Sequence, residues 1–121
     1  MFYREECYKL VGIAMDVHRE LGSGFSEVIY KDALEFEFNQ HFIGYEREKM
    51  YDVNYKGVIL PHKFFADLVV YDSIILEIKG VKKIDDKHIG QTLNYLKASG
   101  FSLGLVINFG APSLEYKRVV L

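Results

Sequence analysis

The sequence predicts one α/β domain, a β-sheet flanked by helices, and three observations carry that expectation. Apolar residues recur at helical spacing near the start, the pattern turns strand-like after Gly44, and a further helical stretch separates two groups of strand-like runs. At 121 residues the chain has the length of a single domain, with no linker, internal repeat or low-complexity segment to divide it.

From Tyr3 to Leu21, the residues Leu10, Ile13, Ala14, Val17 and Leu21 fall on one helical face, and Gly22-Ser23-Gly24 stops the helix. Ser26 stands at the N-cap of a second helix from Glu27 to Gln40, with His41 at its end. Lys49 to Tyr55 and Val58 to His62, rich in Tyr, Val and Ile around Asn54, Lys56 and Gly57, predict a hairpin. Phe64 to Val70 and Ile74 to Ile78 give the strongest strand signals, and Pro61 marks a bend before them. Ile84 to Ser99 reads as a third helix closed by Gly100, with Ile89, Leu93 and Leu96 inward. Leu103 to Asn108 reads as a buried strand and Leu114 to Leu121 as a partly exposed one. The expected order is α-α-β-β-β-β-α-β-β.

Composition narrows the classes. Half of the residues are apolar, and nine Tyr with nine Phe supply bulk for a core. The formal net charge of −2 excludes a globally basic nucleic-acid binder, leaving local charge to decide. Cys7 is the single cysteine and cannot form an internal disulfide. The start, Met1-Phe2-Tyr3-Arg4-Glu5-Glu6, is charged and lacks an apolar signal core, and no apolar run approaches the roughly 20 residues needed to span a bilayer. A cytoplasmic protein without membrane partners is the expectation.

The chemistry concentrates in Phe65-Ala66-Asp67-Leu68-Val69-Val70 and Ile74-Ile75-Leu76-Glu77-Ile78-Lys79-Gly80. Each strand is almost wholly apolar yet carries one carboxylate, and a buried charge is costly unless it is paired or metal-bound. A three-residue turn at Tyr71-Asp72-Ser73 would pair Val70 with Ile74 and Asp67 with Glu77, placing Lys79 on the same face. A two-residue turn at Asp72-Ser73 would send the two acids to opposite faces. Adjacent carboxylates repel, which raises one pKa or recruits a cation, and oxygen ligands favour Mg²⁺ or Mn²⁺ over zinc. Lys79 would then hold the attacking water or neutralise the crowded phosphorus. Taken alone, Asp-x₉-Glu-x-Lys is a loose pattern, and a hairpin whose acids form salt bridges with Lys79 or Lys63 accounts for it better.

Three further features bear on the choice. Glu27 lies in Gly24-Phe25-Ser26-Glu27-Val28-Ile29-Tyr30, where it would also favour the helix dipole by about 0.3–1 kcal/mol. Gln91 and Tyr95 stand one turn apart on the third helix, suited to a phosphate or to packing. Lys82, Lys83, Lys87 and His88 follow Lys79 as a basic cluster that would face phosphates, partly cancelled by Asp85 and Asp86.

Together these residues closely resemble the GxxExxY protein family, a branch of the PD-(D/E)XK nuclease superfamily. The resemblance covers nearly the whole chain: Gly24, Glu27 and Tyr30, Asp67, Glu77-Ile78-Lys79, Gln91 with Tyr95, Gly104 through Gly110, and Lys117-Arg118-Val119-Val120. It implies a restriction-endonuclease-like core, a mixed central sheet flanked by helices. It also implies a divalent-metal site formed by Asp67, Glu77 and the Ile78 backbone carbonyl, completed by Glu27, with Lys79 assisting the water. Gln91 and Tyr95 match the Gln-x-x-x-Tyr pair of RecB-type nucleases. Ala66 replaces the proline of the superfamily's name, a position often degenerate.

Other candidates are set aside. His18 and His62 lack partners at zinc-ligand spacing, Ser23 and Ser26 lack a nucleophile-elbow context, and Cys7 reads as a packing residue. The expected function is Mg²⁺- or Mn²⁺-dependent hydrolysis of phosphodiesters in DNA or RNA, with a homodimer as one way for single sites to cut two strands. Two rivals stand beside it: a nucleic-acid-binding module of the same fold that cuts nothing, and a protein-interaction module presenting exposed Tyr45, Tyr51 and Tyr55.

Overall fold

The structure, a computed structural model, describes residues 3–121. Met1 and Phe2, which open the charged start, lie outside the described residues. Helices α1 (Arg4–Leu21) and α2 (Glu27–Gln40) form where the periodicity places them. In α1 the residues Leu10, Ile13, Ala14 and Val17 are buried, and Gly22 ends the helix in the left-handed region at φ 72°. In α2 the stripe Tyr30, Leu34 and Phe38, one residue per turn, faces inward.

Seven strands follow: β1 (Tyr45–Tyr51), β2 (Asn54–Tyr55), β3 (Val58–Ile59), β4 (Phe64–Val70), β5 (Ile74–Lys79), β6 (Leu103–Asn108) and β7 (Glu115–Val120). Helix α3 (Asp86–Ser99) crosses from β5 to β6. The main sheet has the order β1-β4-β5-β6-β7, with β5 and β6 parallel and the other neighbours antiparallel. That mixed sheet, with helices on both faces, is the expected fold class.

One local expectation is corrected. The segment after the second helix was expected to fold as a hairpin of Lys49–Tyr55 against Val58–His62. Instead, β1 begins at Tyr45 and pairs with β4, from Tyr45↔Val70 to Tyr51↔Phe64. Only the two-residue β2 and β3 form a small separate ribbon, closed by Lys56 and Gly57, both at positive φ. The inward residues of β1 are Tyr45, Arg47, Lys49 and Tyr51, half-buried long side chains whose alternation hydropathy alone does not reveal. The supposedly exposed tyrosines are corrected with it. Tyr45 packs against Phe38 and Tyr51 stacks on Phe64, so only Tyr55 is exposed.

Two apolar layers sandwich the sheet. Helices α1 and α2 cover Leu68, Val70, Ile74, Leu76, Ile78, Leu105 and Ile107, while α3 covers Ala66, Val69, Ile75, Val106 and Val119. Strands β5 and β6 are buried on both faces, as a parallel pair inside a sheet requires. Cys7 is buried in the first layer, and burial pushes its thiol up, as befits a packing residue.

Strand β4 changes face partway along. Ala66 packs with the α3 layer, yet Leu68 and Val70 pack with the α1/α2 layer, although residues two apart on a regular strand share a face. The irregularity is centred on Asp67. Across from it in the β1 register stands Glu48, held at φ 53°, between the Arg47↔Leu68 and Lys49↔Ala66 pairs. A non-glycine residue keeps that conformation only where its surroundings hold it there.

Candidate active site

The turn that positions the acids is the three-residue Tyr71-Asp72-Ser73, with Tyr71 and Asp72 both left-handed and Val70 paired with Ile74. The ladder runs through Val69↔Ile75 and Leu68↔Leu76, so the next rung belongs to Asp67 and Glu77. There the backbone pairing gives way to side chains. The Asp67 N–H donates to Glu77 Oε2 at 2.9 Å, and the Ile78 N–H donates to Asp67 Oδ2 at 2.7 Å. Each carboxylate thus satisfies a backbone donor of the opposite strand, and the two acids are locked side by side.

Glu77 is only 3% exposed. Burial first, and the neighbouring Asp67 charge second, push its carboxyl up from 4.5 to about 8, against the opposing pull of Lys79 and Lys31. Lys79, two residues beyond Glu77 on β5, is half-buried, and its backbone carbonyl accepts the Phe109 N–H at 2.8 Å. Tyr95 reaches toward the pair from α3, stacked on Phe64 with centroids 4.3 Å apart. Its hydroxyl pKa is raised by burial and by the charges of Glu77 and Asp67. Gln91, one turn earlier, is exposed.

Helix α2 contributes from the other side. Glu27 Oε2 accepts the Gly80 N–H at 2.8 Å, tying the first turn of α2 to the residue just beyond β5. Tyr30 explains that placement: it is fully buried, stacks on Phe109 at 4.4 Å, and its hydroxyl donates to the Gly22 carbonyl at 2.5 Å. The loop entering α2 is thereby fastened, and Glu27 with it. Beyond Lys79, the buried Asn108 pins the chain, its amide donating to the Val81 carbonyl and its Oδ1 accepting the Val81 N–H.

Two residues that the sequence reading passed over join the site. Lys31, one turn after Glu27, places Nζ 3.3 Å from Asp67 Oδ1 and 2.6 Å from Glu48 Oε1. Burial pulls its pKa down, but the bonds and charges of Glu48 and Asp67 outweigh this and raise it. The signal was the spacing Glu27-x₃-Lys31, which puts both on one face of α2. Asp67 therefore finds a cationic partner, but it is neither Lys79 nor Lys63, which pairs with Asp52.

The basic cluster divides. Lys82, Lys83 and Lys87 are exposed. His88 is half-buried and completes the cap of α3: its Nδ1 accepts the Asp85 N–H at 3.1 Å while Asp85 Oδ1 accepts the Lys87 and His88 N–H groups. A cavity of about 830 Å³ lies elsewhere, between α1 and β7, lined among others by Cys7, Tyr8, Met15, Tyr116 and Arg118 and by none of Glu27, Lys31, Asp67, Glu77, Lys79, Gln91 or Tyr95.

Among the described residues, no three His, Cys, Asp or Glu side chains form a metal-holding group. Asp67 and Glu77 nonetheless fit a hard divalent ion in donor chemistry: two adjacent carboxylates, one buried among apolar side chains.

A mixed sheet with two opposed carboxylates at an opened rung, followed by Glu77-x-Lys79, defines a nuclease-type fold. The chain belongs to the PD-(D/E)XK nuclease superfamily, whose family model matches residues 4–119. Among solved structures, that reported as "Crystal structure of SSO0001" is similar, with a TM-score of 0.62 over 98% of this chain and 19% sequence identity. The present chain spans 59% of that one, and the likeness is one of fold. No curated protein matches the chain in sequence.

Proposed function

We propose that this protein is a metal-dependent nuclease that hydrolyses phosphodiester bonds in DNA or RNA, using Mg²⁺ or Mn²⁺. The observation that carries the reading is the Asp67–Glu77 pair, fixed side by side with Glu77 buried and its carboxyl raised to about 8. A carboxyl group perturbed by burial together with a specific charge neighbour is a functional-site candidate on physical grounds.

Asp67, Glu77 and the Ile78 backbone carbonyl would hold the ion, with Glu27 completing the set by release from the Gly80 N–H. When bound, the ion supplies Lewis-acid stabilisation of a phosphoryl oxygen and a nucleophile at neutral pH. Lys79 holds the attacking water and offsets charge gathering on the phosphate. Gln91 and Tyr95 orient the phosphodiester, and Lys82, Lys83 and Lys87 hold the flanking backbone by charge. His88 belongs to that basic segment chiefly by fixing the start of α3. Two copies acting together would cut both strands of a duplex.

The test is cleavage of single- and double-stranded DNA and RNA with Mg²⁺ or Mn²⁺. Cleavage lost in chelator and in Asp67→Ala, Glu77→Ala and Lys79→Ala supports the reading. Metal-independent cleavage, or cleavage that survives all three substitutions, contradicts it. The ion pair of Lys31 with Asp67 favours a second reading, in which the fold binds nucleic acid or a protein partner without cutting. Metal-independent binding with no cleavage of any substrate selects it.

A further inference from the structure

We propose that Lys31 is the built-in counter-cation of the acidic site, a positioning residue that competes with the divalent ion for Asp67 and is drawn aside by Glu48. The inference rests on the nuclease reading above. Its basis is the placement of one ammonium among three carboxylates. Lys31 Nζ lies 3.3 Å from Asp67 Oδ1 and 2.6 Å from Glu48 Oε1, while Asp67 is itself locked against Glu77.

The three groups differ in exposure in a telling order. The Lys31 side chain is 13% exposed and Asp67 19%, but Glu48 is 49% exposed. Lys31 therefore spans from a sheltered acid to a solvated one, and its shorter bond goes to the solvated one. The β1 backbone is distorted at that same residue, with Glu48 at φ 53° facing the place where β4 changes face. A strained position held this way suits a side chain with a set task.

Without an added ion, Lys31 relieves the repulsion between Asp67 and Glu77. A divalent ion at Asp67 would place two positive charges beside the ammonium, and Lys31 has a second carboxylate onto which to withdraw. Glu48 acts through Lys31, not on the ion. A merely structural role for Lys31 leads to the opposite expectation for its removal, since a slackened site holds an ion less well.

The test is Mn²⁺ titration by calorimetry on full-length wild type, Lys31→Met, Lys31→Arg, Glu48→Gln and the Lys31→Met/Glu48→Gln double variant, with folding checked by circular dichroism. Competition predicts that Lys31→Met binds Mn²⁺ at least about tenfold more tightly, because a charge repelling the ion is gone. Lys31→Arg stays near wild type. Glu48→Gln binds more weakly by itself and has no effect in the Lys31→Met background. Equal or weaker binding by Lys31→Met overturns the proposal and leaves the nuclease reading standing if wild type still binds. Should Lys31→Met not fold, the exposed Glu48→Gln decides: unchanged or tighter Mn²⁺ binding overturns the proposal. Absence of Mn²⁺ binding in every variant, with an oligonucleotide present as well as without it, overturns both readings, whereas tighter binding by Lys31→Met than by wild type supports the proposal.

Discussion

At the scale of single residues, Asp67 and Glu77 were legible because a charge in an otherwise apolar strand demands an explanation. Lys31 and Glu48 were not, because charged residues on an amphipathic helix and on an outer strand read as ordinary solvated surface. The fold brings them to Asp67, Lys31 from α2 and Glu48 from the β1 position opposite it. The buried acid carries a pH prediction. The unfolded chain ionises Glu77 near 4.5, whereas the folded protein keeps its proton until about 8. In chelator, the stability due to this group is full below the unfolded value and is lost as pH rises through the folded one. Glu77→Gln abolishes the titration. Urea denaturation across that window should therefore show wild-type stability falling relative to the variant by up to about 1.4 kcal/mol per pH unit. A flat difference would mean that Glu77 is ionised throughout.

The elements were read with uneven success, for reasons specific to each. Helix α2 was expected at Glu27–Gln40 and forms there, with Ser26 at the N-cap position though without a side-chain cap bond, and the structure adds its buried stripe of Tyr30, Leu34 and Phe38. Strand β1 was misplaced because its inward positions are Tyr, Arg and Lys rather than Val or Ile. The inward face of α3 at Ile89, Leu93 and Leu96 was legible, but its close approach to β6 was not, since that depends on Gly104 lacking a side chain. A Cβ there would stand 2.7 Å from Thr92 Cγ2 and 3.4 Å from the Ile75 carbonyl oxygen. Gly104→Ala should cost about 1–3 kcal/mol in denaturant unfolding. Adding Thr92→Ser, which removes the obstructing methyl, should recover much of the loss. No recovery would show that the close approach of α3 to β6 is not what keeps this position glycine.

For the whole molecule, the fold class followed from the alternation of helical and strand-like runs, and superfamily membership accords with it. The mixed pairing of the sheet did not follow from periodicity, because β5 and β6 are buried on both faces and strand direction leaves no mark on such runs. No helix among the described residues is long and apolar enough to cross a membrane. The candidate site lies where α2, β4 and β5 meet, with Tyr95 of α3 near the acids and Lys87 in the N-terminal turn of that helix. On the reading proposed above, this meeting point holds a divalent ion. The most direct test is calorimetric Mn²⁺ titration of wild type beside Asp67→Ala and Glu77→Ala, with folding confirmed for each. The expected result is wild-type binding that both substitutions abolish. Wild-type binding that survives both, or no binding even with an oligonucleotide present, would contradict it.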